Sequence, residues 1–228
     1  MNETKLAGFT IKYPNQKEFA LLKEDIFGHN IYDFDFKTDT PFIVDVGSHI
    51  GLSVLYFKSR YPNSKILAFE PNPSSFETLN ENIFLNNLQD IETFQIAIAN
   101  SKGNAQLFVD NSDDKWNSNS SLLPGGWTGL EKLSPIDIQT QSLTLFIDRK
   151  VDLLKIDVEG TELSVLNSIN GVENIIDNIV MEYHPSSNLK KILSTFSKYR
   201  FNVSFTQNGK EVKNPNPKSL FIIRASRK

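Results

Sequence analysis

The chain has 228 residues, with 24 lysines and arginines against 27 aspartates and glutamates, and it contains no cysteine. This length fits one α/β domain. The formal net charge of −3 argues against a nucleic-acid-binding protein, which needs a basic face. The lack of cysteine excludes disulfide scaffolds, cysteine-ligated metal centres and thiolate nucleophiles.

No stretch of the sequence is typical of a targeting or membrane segment. Residues 1–14 lack a charged-then-apolar signal pattern, and no apolar run approaches the ~20 residues that a membrane helix needs. We therefore expect a cytoplasmic protein with a single domain over residues 1–228. An N-terminal extension would span residues 1–40 and the catalytic core residues 42–228.

The extension is predicted to hold a strand, a helix and a second strand. Alternation over residues 9–13 indicates the first strand. Asn15 and Glu18 form a capping box that begins a helix, which ends at Gly28. Residues 31–36 are predicted as another short strand.

From residue 42 to residue 198, apolar strands alternate with amphipathic helices. Five runs suit buried parallel strands, over residues 42–46, 66–70, 91–98, 151–158 and 175–183. The alternation predicts an α/β fold whose mostly parallel sheet is covered by helices on both faces. Phe201, Val203 and Phe205 then alternate before Asn208-Gly209 and a last strand at 220–223, which indicates an antiparallel pair at one edge.

Residues 110–137 interrupt this pattern. The segment is rich in Ser, Asn, Asp and Gly, has no clear period, and contains Trp116 and Trp127. Long irregular segments within a domain are uncommon and are often functional. We interpret it as an irregular insertion or lid whose tryptophans contact the substrate; an inert surface insertion is the alternative.

The first parallel strand leads into a glycine turn, Asp45-Val46-Gly47-Ser48-His49-Ile50-Gly51. Glycine lets the backbone turn sharply beside a ligand, and ligands bind at this end of parallel strands. Glu70 ends the second strand 19 residues after Gly51, where a carboxylate can accept hydrogen bonds from ribose hydroxyls. The turn therefore predicts a ligand that contains a nucleoside.

Asp45 favours one such ligand over another. It replaces the first glycine of a dinucleotide-binding turn, and a carboxylate there repels a pyrophosphate. The same carboxylate attracts the amino group and the sulfonium of S-adenosylmethionine (SAM). SAM is thus favoured over NAD, although a dinucleotide dehydrogenase and a purely structural turn capped by Asp45 stay open as alternatives.

Four motifs make the sequence resemble the FkbM-type SAM-dependent methyltransferases. They are Asp45-x-Gly47-x-x-x-Gly51, Phe69-Glu70-Pro71-Asn72-Pro73, Asn86-Asn87-Leu88 and Lys155-Ile156-Asp157-Val158-Glu159-Gly160-Thr161-Glu162. The resemblance implies a three-layer, Rossmann-like fold with a seven-stranded, mostly parallel sheet and an antiparallel last strand. It also implies methyl transfer, mostly to oxygen, on small natural products or saccharides.

The resemblance further implies the cofactor contacts. Asp45, Gly47 and Gly51 would hold the methionine part, Glu70 the ribose, and the segment around Ile96 and Ala97 the adenine. The remaining residues assigned to the cofactor are Ser48, His49, Pro71, Asn72 and Asp157. His49 stands where the family commonly has a small or amide residue, so its role is left open.

Charged residues end the fourth and fifth predicted strands. Lys155, Asp157 and Glu159 alternate onto one face, and buried charges must pair or act, so all three are candidate catalytic residues. Asp157 is the first choice for the residue nearest the methyl donor. A Lys155–carboxylate ion pair that only joins the strand ends is the alternative.

Glu182 and His184 alternate in the same way at the end of the fifth strand. Glu182 is a candidate substrate contact, and His184 a candidate base, because a neutral imidazole accepts protons at pH 7; alternatively, His184 simply closes the strand. Asp157, Glu159, Glu182 and His184 could also share a divalent ion such as Mg²⁺.

These observations predict a SAM-dependent O-methyltransferase acting on a small molecule or a saccharide. Cytosine C5 methylation is excluded because it needs a cysteine, and the sequence has no basic patch for nucleic acid. We expect neither a nucleic-acid partner nor a membrane partner. Transfer to nitrogen or to a macromolecule, a non-catalytic SAM- or nucleotide-binding module, and a homodimer formed through the N-terminal segment stay open.

Overall fold

The computed structural model describes residues 1–112, 116–124, 133–207 and 209–227. Its strands are β1 (Asn2–Leu6), β2 (Phe9–Tyr13), β3 (Phe42–Val46), β4 (Lys65–Phe69), β5 (Ile91–Phe94), β6 (Ala97–Ile98), β7 (Gly103–Asp110), β8 (Leu133–Gln141), β9 (Leu153–Ile156), β10 (Asn178–Tyr183), β11 (Asn202–Gln207), β12 (Lys210–Val212) and β13 (Phe221–Ser226). Its α-helices are α1 (Gln16–Lys23), α2 (Leu52–Arg60), α3 (Pro73–Leu85), α4 (Glu162–Ser168) and α5 (Leu189–Lys198). None of the helices among these residues is long and apolar enough to cross a membrane.

The main sheet confirms the predicted α/β fold. Its strand order is β12-β11-β13-β10-β9-β3-β4-β5. The five strands from β10 to β5 are parallel, and β13 lies antiparallel between β10 and β11. The sequence predicted seven strands; the three-residue β12, antiparallel to β11, adds an eighth at the edge.

Both faces of this sheet are covered, as the alternation of strands and helices predicts. Ile43 and Val44 are neighbours in β3, yet they belong to two different hydrophobic clusters, because successive residues of a strand point to opposite faces. The cluster around Ile43 includes Val54 of α2, and the cluster around Val44 includes Phe196 of α5. The carboxyl ends of the central strands remain open for a site.

A second, three-stranded sheet corrects two predictions. The strand predicted over residues 91–98 is divided, because β5 joins the main sheet whereas β6 pairs with β8. The segment 110–137 is not irregular throughout: Asp110 ends β7, and β8 begins at Leu133 and pairs antiparallel with β7. The short apolar stretches of this segment show no clear period, so the beginning of β8 was not predicted.

The N-terminal extension contains a hairpin and the predicted helix. The β1–β2 hairpin is antiparallel, and the Asn15 side chain caps α1 by accepting hydrogen bonds from the backbone N–H groups of Lys17 and Glu18. The prediction of a strand over residues 31–36 is wrong, because these residues form no strand. Side chains bond its carbonyls instead, since Arg224 donates to Ile31 O and Asp33 O.

Asn82 of α3 and Asn86, the C-cap residue of that helix, attach the hairpin to the domain. Asn86 bonds both the N–H and the C=O of Thr10, and Asn82 bonds both groups of Lys12, at 2.7–3.0 Å. One turn apart on the helix, these amides pair with the edge of β2 as a neighbouring strand would. Asn82 Nδ2 also donates to Ile50 O in the glycine turn, at 2.8 Å.

We expect Asn82→Ala to lower the free energy of unfolding by about 2 kcal/mol or more, because it leaves buried backbone groups of Lys12 and Ile50 without partners. Chemical denaturation measures this loss. Glu77→Ala on the exposed face of α3 is the control and should change stability by less than about 0.5 kcal/mol. Equal stabilities of the two variants would contradict the attachment described here.

Candidate active site

A cavity of about 410 Å³ opens at the carboxyl ends of β3, β4, β9 and β10. Its wall contains most of the residues that the sequence nominated, among them Gly47–His49, Glu70, Asp157 and Glu182. The N-terminal extension contributes Glu18, Tyr32 and their neighbours, and residues 116–120 form part of the cover. The volume lies within the range of small-molecule sites.

The glycine turn is fixed by close backbone contacts. Gly47 has φ +83°, and a Cβ atom there would lie 1.7 Å from the carbonyl oxygen of Asp157, so only glycine fits. Gly51 has φ +89°, and a Cβ atom there would lie 2.7 Å from Leu79 Cδ1. The Ser48 hydroxyl closes the turn by donating to Asp45 O at 3.0 Å.

A buried ion pair lies behind the turn. Lys155 Nζ is 3.2 Å from Asp45 Oδ1 and donates to Gly47 O at 2.6 Å, while the Ser53 hydroxyl donates to Asp45 Oδ2 at 2.5 Å. Burial lowers the pKa of Lys155, but the charges of Asp45 and Asp157 outweigh it and hold the pKa above its usual value. Lys155 therefore stays charged and positions the turn.

This arrangement corrects the role predicted for Asp45. The carboxylate is fully buried, and Ser53 and Lys155 occupy its two oxygens. It does not belong to the cavity wall. Asp45 thus contacts Lys155 and Ser53 rather than the cavity, and the ion pair considered as the alternative for Lys155 is present.

Glu70 presents a fixed carboxylate to the cavity. Its two oxygens each accept one backbone hydrogen bond at 2.8 Å, from His49 N and from Asn72 N. Burial raises the pKa of Glu70 to about 7, against the lowering effect of these two bonds. Each oxygen keeps a second lone pair for a ligand. Pro71 lines the cavity beside it, and Asn72 caps α3.

Asp157 and Glu182 meet at the hydroxyl of Tyr32. The Tyr32 hydroxyl donates to Asp157 Oδ2 at 3.1 Å and lies 3.4 Å from Glu182 Oε2. Lys155 Nζ is 3.6 Å from Asp157 Oδ2, which gives Asp157 a cationic neighbour. Burial and the charge of Asp157 raise the pKa of Glu182. Asp157 and Glu182 thus lie together in the wall, but Asp157 has the Lys155 ammonium as a neighbour whereas the pKa of Glu182 is raised.

His184 lies between two carboxylates, which argues against the predicted role of a base. Its Nδ1 is 2.6 Å from Glu162 Oε1 and its Nε2 is 3.2 Å from Glu159 Oε2. Burial alone would lower the pKa of His184, but these two carboxylates raise it to about 10. With both ring nitrogens against carboxylates and a raised pKa, His184 is protonated at pH 7 and cannot accept another proton. Glu159, which follows β9 in a turn with φ +52°, faces His184.

A divalent metal does not fit this group of side chains. One ligand atom each of Asp157, Glu182 and His184 lies within 4.8 Å of the others, as a shared ion would require. However, both ring nitrogens of His184 already face carboxylates, Nδ1 that of Glu162 and Nε2 that of Glu159, and the Lys155 ammonium lies 3.6 Å from Asp157 Oδ2.

His49 faces Glu18 across the cavity wall. Its Nε2 lies 3.7 Å from Glu18 Oε1, and His49 adopts a left-handed backbone conformation with φ +49°. Burial lowers the pKa of His49, although the carboxylates of Glu18 and Asp157 partly oppose this. His49 is therefore a neutral imidazole at pH 7, unlike His184.

The remaining predicted contacts divide between wall and cover. Ile96 and Ala97 line an apolar part of the cavity together with Leu107 and Leu122. Trp116 lies in the cover, where its backbone N–H donates to Asp110 Oδ2 at 2.9 Å. Trp127 lies outside the described residues.

The cover is joined to the wall by three polar contacts. Ser118 N donates to Glu18 Oε1 at 2.7 Å, Asn72 Nδ2 donates to Ser120 Oγ at 2.9 Å, and Ser121 Oγ donates to Glu159 O at 2.6 Å. These contacts connect residues 116–124 to α1, to the start of α3 and to the end of β9.

Three site residues were missed by the sequence analysis. Glu18 was interpreted only as part of a capping box, and Tyr32 lay in a strand that does not form. Glu162 was quoted within a motif but given no role, yet it is fully buried and holds His184 and the Gly160 N–H. An acid next to Gly160-Thr161 at a helix start was the available signal.

Comparison with known proteins shows what the chain resembles. The model of the methyltransferase FkbM domain matches residues 45–203. Methyltransferase sdnD of Sordaria araneosa is 32% identical over 202 residues, covering 74% of this chain and 76% of the relative. Methyltransferase 1 of Beauveria bassiana is 30% identical over 183 residues, covering 72% and 73%. The hexuronic acid methyltransferase AglP of Haloferax volcanii is 22% identical over 163 residues, covering 72% and 64%.

Solved structures show the same fold. The methyltransferase FkbM of Methylobacillus flagellatus has a TM-score of 0.56 at 14% identity, covering 84% of this chain and 44% of that chain. The methyltransferase SMU.1697c of Streptococcus mutans, solved with S-adenosylhomocysteine (SAH), has a TM-score of 0.51 at 8% identity, covering 89% and 96%.

The family match covers the glycine turn, Glu70 and the strand ends that build the cavity. The relatives that cover most of the chain are themselves methyltransferases. The chain belongs to the FkbM methyltransferase family.

Proposed function

We propose that the protein uses SAM to methylate a hydroxyl oxygen of a small-molecule natural product or a saccharide. The observation that carries the cofactor assignment is the Glu70 carboxylate, fixed by two backbone N–H groups on the cavity wall. A vicinal diol can donate to both of its oxygens, which is how an acid at the end of a second strand binds ribose. SMU.1697c, which shares the fold, was solved with SAH.

The apolar and acidic parts of the wall fit the other parts of SAM. Ile96 and Ala97 suit an adenine ring, which needs apolar surroundings. Asp157 and Glu182 suit the sulfonium cation, which SAH lacks, because both carboxylates face the cavity close to the glycine turn. The backbone of the Gly47–His49 turn lines the cavity, where the methionine part of SAM would lie against it.

The same acids favour a hydroxyl over an amine acceptor. Beside Asp157 and Glu182 an amine would be held as an ammonium ion, which has no lone pair for attack. In the transfer, the acceptor oxygen attacks the methyl carbon, and the carbon–sulfur bond breaks with its electron pair moving to sulfur. The hydroxyl proton passes to Glu182, whose raised pKa makes it the better base of the two.

The cavity and the relatives support a small acceptor. A volume of about 410 Å³, bounded by α1 and residues 116–120, suits a cofactor with a small molecule at its mouth. Leu21, which is 56% exposed, and Leu220 give that mouth an apolar edge. AglP is named for a hexuronic acid, which is a saccharide.

Incubation with SAM labelled in its methyl group tests the proposal. Acceptors would be offered in matched pairs, such as methyl glucoside with methyl glucosaminide and a phenol with the corresponding aniline. We expect label on the hydroxyl members, located on oxygen by mass spectrometry. Label on nitrogen alone, or on added RNA or protein alone, would contradict the assignment to small hydroxyl acceptors.

The role of Glu70 can be tested without an acceptor. We expect 2′-deoxy-SAH to bind wild-type protein about 10–100-fold more weakly than SAH, because a hydrogen bond to a charged group is lost. In the Glu70→Gln variant the difference between the two ligands should shrink. Calorimetry measures all four affinities, and an unchanged difference in the variant would remove Glu70 from the ribose site.

For Glu182 we expect Glu182→Gln to slow methyl transfer by about 10²–10⁴-fold while SAH affinity changes little. The wild-type rate should rise with pH as the carboxylate with its raised pKa loses its proton, since only the anion accepts one. Glu92→Gln on the exposed side of β5 is the control and should keep wild-type rates. A pH–rate profile that Glu182→Gln leaves unchanged would exclude Glu182 as the base.

A further inference from the structure

His49 occupies an unusual position in the cavity wall. It lies within the glycine turn, and its backbone N–H is bound to Glu70, so the ring cannot move far from the cofactor cavity. Its side chain is 16% exposed, and Nε2 is buried without a hydrogen-bond partner among the described residues. A left-handed φ of +49° is unfavourable for histidine, so the fold holds the ring there against a local cost.

Charged groups of α1 and of the end of β9 act on this ring. Glu18 of α1 lies 3.7 Å from Nε2, and the charges of Asp157 and Lys155 at the end of β9 also act on the imidazole. Glu70 binds the backbone N–H of the same residue. The ring therefore borders the part of the cavity that would receive the charged portion of a SAM molecule.

We propose that protonation of His49 weakens the preference of the cavity for the sulfonium cofactor over its thioether product, an inference that rests on the proposed use of SAM. SAM and SAH share the adenosine and the amino-acid end, and they differ by one methyl group and one positive charge. Contacts with the shared parts, including those of Glu70, cancel when the two affinities are compared.

The protonation state of the imidazole changes the electric field that a bound sulfonium would meet. While His49 is neutral, the carboxylates of Asp157, Glu182 and Glu18 dominate the field in the cavity and favour a cation. A protonated His49 would add a positive charge on the wall and oppose the sulfonium, but not the neutral thioether. Burial, which keeps the ring neutral at pH 7, therefore maintains the preference for SAM.

The test measures the ratio of SAH to SAM dissociation constants by calorimetry between pH 8 and pH 5. In wild-type protein we expect the ratio to fall by about tenfold or more towards low pH, which corresponds to about 1.4 kcal/mol. In His49→Asn the fall should be smaller, and the part that remains belongs to Glu182, whose raised pKa also removes negative charge from the cavity at low pH. Asparagine tolerates φ near +50° and does not titrate, so this variant keeps the turn.

Two further variants separate this role from a structural one. Glu18→Gln keeps an oxygen for Ser118 N but removes the charge that raises the pKa of His49, so the fall in the ratio should move to lower pH. His29→Asn, on an exposed histidine beside Asp25, should behave as wild type.

Equal pH dependence of the ratio in wild type and His49→Asn would overturn the inference. So would a loss of SAM and SAH affinity by the same factor at every pH in His49→Asn, since His49 would then only shape the wall. Failure of wild-type protein to bind either ligand at pH 8 would instead overturn the proposed function.

Discussion

The ammonium group of Lys155 is the contact on which the geometry of the cavity depends. A buried charge needs charged or polar partners, and Lys155 finds them in Asp45 of β3, in the carbonyl of Gly47 and in Asp157. The same ammonium lies over the ring of Tyr32, with Nζ 5.2 Å from the ring centroid. One side chain thus connects two strands, the glycine turn and the N-terminal extension.

Charge at the strand ends is divided into two groups with different functions. Lys155 with Asp45, and His184 with Glu159 and Glu162, form ion-paired groups that hold the backbone in place. Glu70, Asp157 and Glu182 keep oxygen atoms directed at the cavity. The histidine that the sequence nominated as a base belongs to the first group, whereas the one whose role was left open is neutral and lines the cavity.

The sequence was informative where a local pattern determines the backbone. The buried strands, the glycine turn and the acid after β4 each follow from residue type and spacing, and so did the mostly parallel sheet with antiparallel strands at one edge. Side-chain partners could not be predicted, because they come from distant segments: Glu162 reaches His184, and Glu18 reaches His49. Tyr32 was missed for the same reason, since side chains rather than a neighbouring strand bond the backbone around it.

The attachment of the hairpin by Asn82 and Asn86 has a consequence for variation within such domains. The hairpin adds no strand to the main sheet, so an N-terminal segment of another length or sequence could replace it without changing any strand register. The exchange would also affect the glycine turn, however, because Asn82 donates a hydrogen bond to the carbonyl of Ile50. A domain that altered its N-terminal segment would change the glycine turn that lines its cavity at the same time.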